Sequence, residues 1–339
     1  MLSLALALAA PILSAPALAD DDLAANQKKK DAKRPSTVTL QVENDLFGDG
    51  RDQNYTNGLQ LTFAAGDQWV PDWYKDLLNR IPGIEEGDSK RFVVAIGQQM
   101  FTPEDTTRIS PDPNDRPYAG WGFVSFGAVV EEKDTDLVQN VSLDLGFVGP
   151  PSLAGYTQRR YHTLIGVDVP RGWGKQLHTE PGLMLSYQAR LRQPVLEDNN
   201  LIELDVMPTA GVTLGNVLTQ GTVGAAVRFG RNLDLTYGPA FIRPSLPAAA
   251  MVRRKNEFGW NLFAGIEGRA VAHNIFLDGN TFGDSRSVDK KNFVLDLQGG
   301  VEFVFGAARL SFTQILRSRE FDGEKRPSQF GSIALSAVF

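Results

Sequence analysis

One of the three histidines in the chain stands in a setting that could support catalysis. His162 lies six residues before Asp168, whose carboxylate could orient the imidazole ring, whereas His178 and His273 have no comparable setting. A neutral imidazole accepts a proton near neutral pH, so an oriented histidine can act as the general base of a hydrolase. A single histidine is more often a structural residue, and the interpretation depends on the groups that the fold brings beside it.

A second group of reactive side chains lies in the stretch from Val42 to Gly58. Its Asn44, Asp45 and Thr56 carry hard oxygen atoms, which are the ligands that Ca²⁺ prefers and which can also hydrogen-bond a polar substrate. Asparagine and aspartate are equally common in ordinary turns, so a purely structural hairpin tip is the alternative.

The flanks of this stretch predict the strands that must position these residues. Residues 37–42 and 59–63 alternate polar and apolar side chains with a period of two, which is typical of a strand with one polar face. Gly48 and Gly50 between them suit a turn, so we expect a β-hairpin. About twelve alternating segments of this kind follow one another along the chain.

Charged side chains recur on the polar face of these segments, as at Asp205, Arg228 and Glu302. A soluble β-sandwich has apolar inner faces, whereas a membrane barrel turns apolar side chains toward lipid and polar ones toward its lumen. Closure also satisfies every strand edge, as lipid requires. The pattern, which ends at Phe339 as outer-membrane barrels typically end, predicts an all-β transmembrane antiparallel barrel of about twelve strands. A soluble all-β enzyme is the alternative.

The start of the chain predicts export. Residues 1–19 are almost wholly apolar and end in Ala17-Leu18-Ala19, as a cleaved signal peptide does, although no positive residue precedes the apolar run. A transmembrane anchor is the alternative, and two prolines within the run weaken it. We expect residues 20–36 to be a flexible leader, because they are polar and charged, and residues 37–339 to form the barrel.

The composition excludes several other classes. A net charge of −6 argues against nucleic acid as the main partner. The chain has no cysteine, so no disulfide stabilises the exported fold. No run of eighteen apolar residues follows the signal, so no transmembrane helix is expected. We expect a monomer in the bacterial outer membrane that interacts with membrane lipids.

The order of the strands predicts which residues share a rim. If both chain ends are periplasmic, the hairpin tip near Asp49 and the connections 102–116, 149–181 and 272–290 are extracellular. One rim would then carry Asn44, Asp45, Thr56, Arg108 and His162.

Two of the predicted periplasmic turns, 66–90 and 231–257, are longer than such turns should be. Helical spacing over residues 71–81 in the first of them predicts a short amphipathic helix at the inner rim of the barrel.

Several sequence blocks together resemble a known family. They read Val-Glu-Asn-Asp (42–45), Tyr-Thr-Asn-Gly (55–58), Gln-Gln-Met-Phe-Thr-Pro (98–103), Asp-Arg-Pro-Tyr-Ala-Gly-Trp (115–121) and His-Thr-Leu-Ile-Gly (162–166), followed by Gly172-Trp173 and Gln176-Leu177. From about Thr37 onward the chain resembles the outer-membrane lipid A 3′-O-deacylases. The resemblance implies a twelve-stranded barrel that removes the 3′-linked acyloxyacyl group from the lipid A of lipopolysaccharide, with calcium, at a site facing the outer leaflet.

The resemblance also implies roles for particular residues. The residues that match family active-site positions are Asn44, Asp45, Thr56, His162 and Asp168, the last standing where a better-studied member has glutamate. By resemblance His162 would deprotonate a water, and Ca²⁺ held by Asp45 and Asn44 would polarise the ester carbonyl. Arg108 stands where that member has lysine, and it would bind a lipid A phosphate or sugar oxygen.

The phase of the strands adds an expectation about the lipid side. Asn44 continues the outward row of Val42, whereas Asp45 and Thr56 fall on the inward side. If the pleat persists, the site lies across the barrel wall and an acyl chain could approach from the bilayer. A bulge at the hairpin tip would shift this phase.

Two other functions fit the same fold. A phospholipase-like lipid esterase would need a serine nucleophile beside a histidine, and Ser110, Ser125 and Ser152 lie in no recognisable nucleophile motif. A passive channel or structural barrel would need no catalytic residue, and a barrel of this size can be filled by its own side chains.

Overall fold

The computed structural model describes residues 34–48, 54–81, 83–133, 135–197, 202–239 and 258–339. The expected signal peptide, most of the leader and the hairpin tip near Asp49 lie outside these residues. The described strands are β1 Thr37–Asn44, β2 Asn54–Ala64, β3 Ser89–Thr102, β4 Ala119–Glu131, β5 Leu137–Val148, β6 Glu180–Leu191, β7 Gln193–Glu197, β8 Glu203–Gly215, β9 Leu218–Arg231, β10 Phe258–Asn274, β11 Phe293–Phe305, β12 Ala308–Arg317 and β13 Ser328–Val338.

These segments form one closed antiparallel barrel. Strands β6 and β7 pair with β8 in the same register on either side of Arg192, so they are two parts of one strand and the barrel has twelve. The first strand pairs with the last along its whole length, from Thr37 opposite Val338 to Asn44 opposite Gly331. The predicted fold class is therefore confirmed.

The alternation along each strand separates a polar lumen from an apolar outer surface. In β1, Gln41 and Glu43 are buried inside the barrel, whereas Leu40 is exposed outside. Exposed leucine, valine and phenylalanine side chains recur on the outer faces of the other strands. Such a surface is stable in lipid and not in water, because each apolar side chain would otherwise be hydrated. The soluble alternative does not fit it.

A short segment after β9 fills the end of the lumen that the topology makes periplasmic. Thr236 donates a hydrogen bond to Glu302 on β11 (2.5 Å), and the Tyr237 hydroxyl donates to Glu131 on β4 (2.9 Å). Arg190 on β6 donates to the carbonyl of Tyr237 (2.6 Å). The first part of the long turn predicted at 231–257 is thus a plug that bonds to strands around the barrel.

The other long turn carries a helix on the outside of the wall. Helix α1 (Asp72–Leu78) buries Tyr74 and Leu78 against Phe92 of β3 and Ala128 of β4, both of which face outward. The helix predicted over 71–81 therefore forms at the periplasmic end, on the outer surface. Two further helices are α2 (Ala154–Ile165) and α3 (Ile275–Asp278). No helix in the described part of the chain combines the length and the apolar character needed to cross a membrane.

Candidate active site

Helix α2 lies against the outer face of the barrel wall at the extracellular end. Its first residue, Ala154, and the preceding Ser152 pack on Gly120, and Ser152 also packs on Gly122. Both glycines face outward from β4, and a side chain on Gly120 would collide with Ser152 and Ala154. From β3, Gln98 donates a hydrogen bond to the carbonyl of Ser152 (2.5 Å). Strand β4 thus has no side chain at the two outward positions where the start of the helix packs on it.

The buried face of α2 is small and polar rather than apolar. Ala154, Gly155, Gln158 and His162 form this face. Trp173, from the segment that returns to β6, packs on Gly155 and donates its indole N–H to Gln158 Oε1 (2.6 Å). A fixed indole and a satisfied amide hold the helix in one position, because each would lose a partner if the helix moved.

The ring of His162 is held by the main chain that follows the helix. Helix α2 ends at Ile165. The following Gly166 has a left-handed backbone (φ 74°), which turns the chain back so that His162 Nδ1 lies 2.6 Å from the carbonyl oxygen of Asp168. A carbonyl can only accept, so Nδ1 carries the proton and the lone pair of the neutral ring lies on Nε2. The contact expected from the Asp168 carboxylate is therefore made by its backbone, and the Asp168 side chain is exposed.

Asn44 and Asp45 lie where β1 turns out of the sheet. The amide oxygen of Asn44 accepts from the N–H of Leu46 (2.8 Å) and caps a single turn of 3-10 helix, Asp45–Phe47. Asp45 is 3% exposed, and its carbonyl accepts from Gly48 N–H (2.8 Å). Asn44 and Asp45 therefore do act as turn residues, which was the structural alternative. The cap uses one lone pair of the Asn44 amide oxygen and leaves the other for another partner.

Thr56 lies in a β-bulge. The register of β2 against β3 shifts between Tyr55 and Asn57, so Thr56 is the extra residue. Its hydroxyl lies 2.6 Å from that of Thr102, and both side chains are buried. The bulge interrupts the alternation of inward and outward side chains near the hairpin tip, a shift that the sequence pattern had left open.

The strand register and the length of α2 relate the histidine to the end of β1. Asn44 faces Asn57, Asn57 faces Met100, and Met100 faces Gly120, in one outward row. Adjacent strands are about 4.8 Å apart. Helix α2 begins at Ala154, which packs on Gly120, and it contacts β3 as well as β4. His162 lies about 12 Å further along the helix axis. The base of the helix and the end of β1 therefore lie on the same outward row of the wall, separated by β2 and β3.

Arg108 is exposed in the connection between β3 and β4, where its guanidinium lies 3.5 Å from the Asp112 carboxylate. The connection is tied to the segment after α2, because Arg171 N–H donates to the carbonyl of Thr106 (2.9 Å). Arg108 thus lies in a connection that is bonded to the chain after α2, with a partner that a substrate anion would have to displace.

The donors near Asn44 limit the kind of metal site that this region can form. No group of three or more histidine, aspartate or glutamate side chains among the described residues could hold a metal ion. A site at Asp45 would combine its one carboxylate with the Asn44 amide oxygen, main-chain carbonyls and water. Such an all-oxygen set fits Ca²⁺ and, with a single charge, implies weak binding.

The packing of α2 against Gly120, Gly122, Ser152 and Trp173 was not predicted from the sequence, although Gly120 and Trp173 lie in the family-like blocks. A usable signal existed in the two glycines, since they occupy consecutive outward positions in a strand whose other outward positions are apolar. Ser152 was considered as a nucleophile, but its hydroxyl donates to the carbonyl of Gly149 within its own turn (2.6 Å). Ser125 lies in the lumen, hydrogen-bonded to Asp144.

Comparison with known proteins shows which family has this architecture. The family model described as "Outer membrane protein LpxR" matches residues 2–339, nearly the whole chain. The chain belongs to the LpxR family. The structure of LpxR from Salmonella typhimurium is similar, with a TM-score of 0.74 and 18% identity over 89% of this chain and 100% of that one.

The beta domain of the Bordetella autotransporter BrkA aligns at a TM-score of 0.43 with 11% identity, covering 91% of this chain and 100% of that one. No curated protein sequence matches the chain. Family and fold together identify an outer-membrane barrel, so the side of the wall that carries α2 faces lipid.

Proposed function

We propose that the protein is a lipid A 3′-O-deacylase, which hydrolyses the ester that links the acyloxyacyl group to lipid A in the outer leaflet. The observation that carries the proposal is the position of His162, on a helix held against the outside of the barrel, with its ring oriented by a backbone carbonyl. A base on the lipid side of the wall meets a membrane ester directly. Membership of the LpxR family supports lipid A as the substrate class.

The chemistry assigned to the chain is general-base hydrolysis. Nε2 of His162 removes a proton from a water as that water attacks the ester carbonyl, and the Asp168 carbonyl stabilises the imidazolium through Nδ1–H. The proton then passes from Nε2 to the leaving sugar oxygen. Asp45 and Asn44 would hold Ca²⁺, which when bound polarises the ester carbonyl and stabilises the negative charge that develops there.

Thr56 and Arg108 have supporting roles in this proposal. The Thr56–Thr102 hydroxyl pair fixes the bulge beside the Asn44 end of the outward row. Arg108 exchanges its contact with Asp112 for a phosphate or sugar oxygen of lipid A.

Mass spectrometry of lipid A tests the proposal. Cells that express the protein should contain lipid A that lacks the 3′-linked acyloxyacyl group, and cells that express His162→Ala should not. Phospholipid turnover with unchanged lipid A would favour the esterase alternative. Conductance across a planar bilayer would favour a channel, which the plug at the periplasmic end opposes.

A further inference from the structure

The exposed surface of α2 has two flanks of opposite character. Residues three and four apart lie side by side on a helix, so Tyr161, Leu164 and Ile165 share one flank. All three are exposed, Leu164 to 82%. Arg159 and Thr163 share the other flank with Tyr156, and Arg160 lies between the two flanks, one turn before Leu164; all four are exposed. The helix is therefore amphipathic on its free surface, although its buried face is polar.

Packing shows which flank faces the bilayer. Gly155, Arg159 and Thr163 form one row at four-residue spacing, and Gly155 packs on Trp173. The Trp173 segment continues to Leu177, whose N–H donates to the carbonyl of Tyr118, just beyond the extracellular end of β4. The polar flank is thus on the extracellular side, and the apolar flank faces down the wall.

The wall below that flank is apolar as well. Leu59 of β2 stands opposite Gln98, whose side chain reaches the base of α2. One outward position lower, Leu61 stands opposite Ile96, and all three apolar side chains are exposed. The apolar flank and the wall make a corner that is continuous with the lipid-facing surface of the barrel.

We propose that the apolar flank of α2 enters the outer leaflet and that this corner holds an acyl chain of lipid A beside His162. Helices with one apolar and one charged flank lie in the membrane interface in this way. The identity of the lipid rests on the proposed function, whereas the insertion of the flank does not. The flank would set substrate affinity, since it contacts the chain and not the ester.

Depth measurement tests the insertion without any reaction. The chain has no cysteine, so Leu164→Cys and, as the matched control on the other flank, Thr163→Cys each give one labelling site. Each variant carries an environment-sensitive fluorophore in phosphatidylcholine vesicles that contain lipid A and a nitroxide on the acyl chains. We expect strong quenching at position 164 and little at 163. Equal quenching, or a label at 164 shielded from both nitroxide and aqueous iodide by protein, would overturn the proposal.

Kinetics tests the acyl contact. Leu164→Gln should raise KM for lipid A in mixed micelles about tenfold, since an apolar contact of this size is lost, while kcat changes little. Thr163→Gln should leave both constants near those of the parent protein. An unchanged KM for Leu164→Gln would exclude the acyl contact. A parent protein that hydrolyses no lipid A would instead refute the proposed function, and the depth result would still decide whether the flank is inserted.

Discussion

His162 Nδ1 and the carbonyl oxygen of Asp168 are 2.6 Å apart, across a turn that Gly166 makes possible. The contact fixes both the tautomer and the orientation of the ring, and it does so with an atom that every residue type supplies. The chemistry of residue 168 therefore matters less than the path of the chain through it.

Replacing His162 with alanine should abolish deacylation, because general-base catalysis typically contributes a factor of about 10² to 10⁴. The barrel should still fold, since the strands do not depend on this side chain. Lipid A mass spectrometry measures the reaction, and heat-modifiable migration on gels measures folding. Full deacylation by a folded His162→Ala protein would rule out the assigned base.

Asp168→Asn should retain most activity, within about a factor of three, because the carbonyl that accepts from Nδ1 is kept. The same assay applies, with His162→Ala as the inactive reference. A loss as large as that of the histidine variant would show that the carboxylate itself takes part in the reaction.

Removal of calcium with EGTA should stop hydrolysis, and magnesium should restore it poorly. A site with one carboxylate, an amide oxygen and backbone oxygens suits the larger and more variable shell of Ca²⁺. Asp45→Asn should weaken calcium binding, so that a higher calcium concentration is needed for half-maximal activity. Undiminished activity after thorough chelation would remove the metal from the mechanism.

The activities of Arg108 variants should fall as the positive charge at this position is removed or reversed. Arg108→Lys keeps the charge but not the bidentate geometry and should be partly active, Arg108→Ala should lose more, and Arg108→Glu most. Asp112→Ala is the matched control, because it frees the guanidinium and should not reduce activity. Equal rates for all three variants would mean that Arg108 is a solvated loop residue that does not bind the substrate.

Gly120→Leu should impair activity strongly without preventing folding, because the new side chain occupies the place of Ser152 and Ala154 and moves α2 off the wall. Gly221→Leu is the matched control: it introduces the same residue into another strand, at a glycine with open space around it. Activity assays with gel-shift folding tests compare the two. Normal activity in the Gly120 variant would show that close seating of α2 is unnecessary.

The strands were predictable from sequence because lipid and lumen impose a strict period of two, as at Leu40 and Gln41. Helix α2 was not, because its buried face consists of Gly155, Gln158 and His162 and carries no apolar period. The plug at Thr236 and Tyr237 was not predictable either, because it is short and irregular and is stabilised by polar contacts with distant strands. The bulge at Thr56 depends on a register that no local pattern specifies.

The pairing of the first and last strands links the proposed catalysis to assembly of the barrel in the membrane. Asn44 lies opposite Gly331, and the main chains of Ser36 and Phe339 bond at the other end of the same seam. The turn that contains Asp45 also packs on β13, where Phe47 covers Gly331. Half of the candidate site is therefore assembled only when the C-terminal strand closes the cylinder. An incompletely inserted chain lacks this half, so the hydrolysis proposed above would begin only once the protein is fully embedded in the membrane.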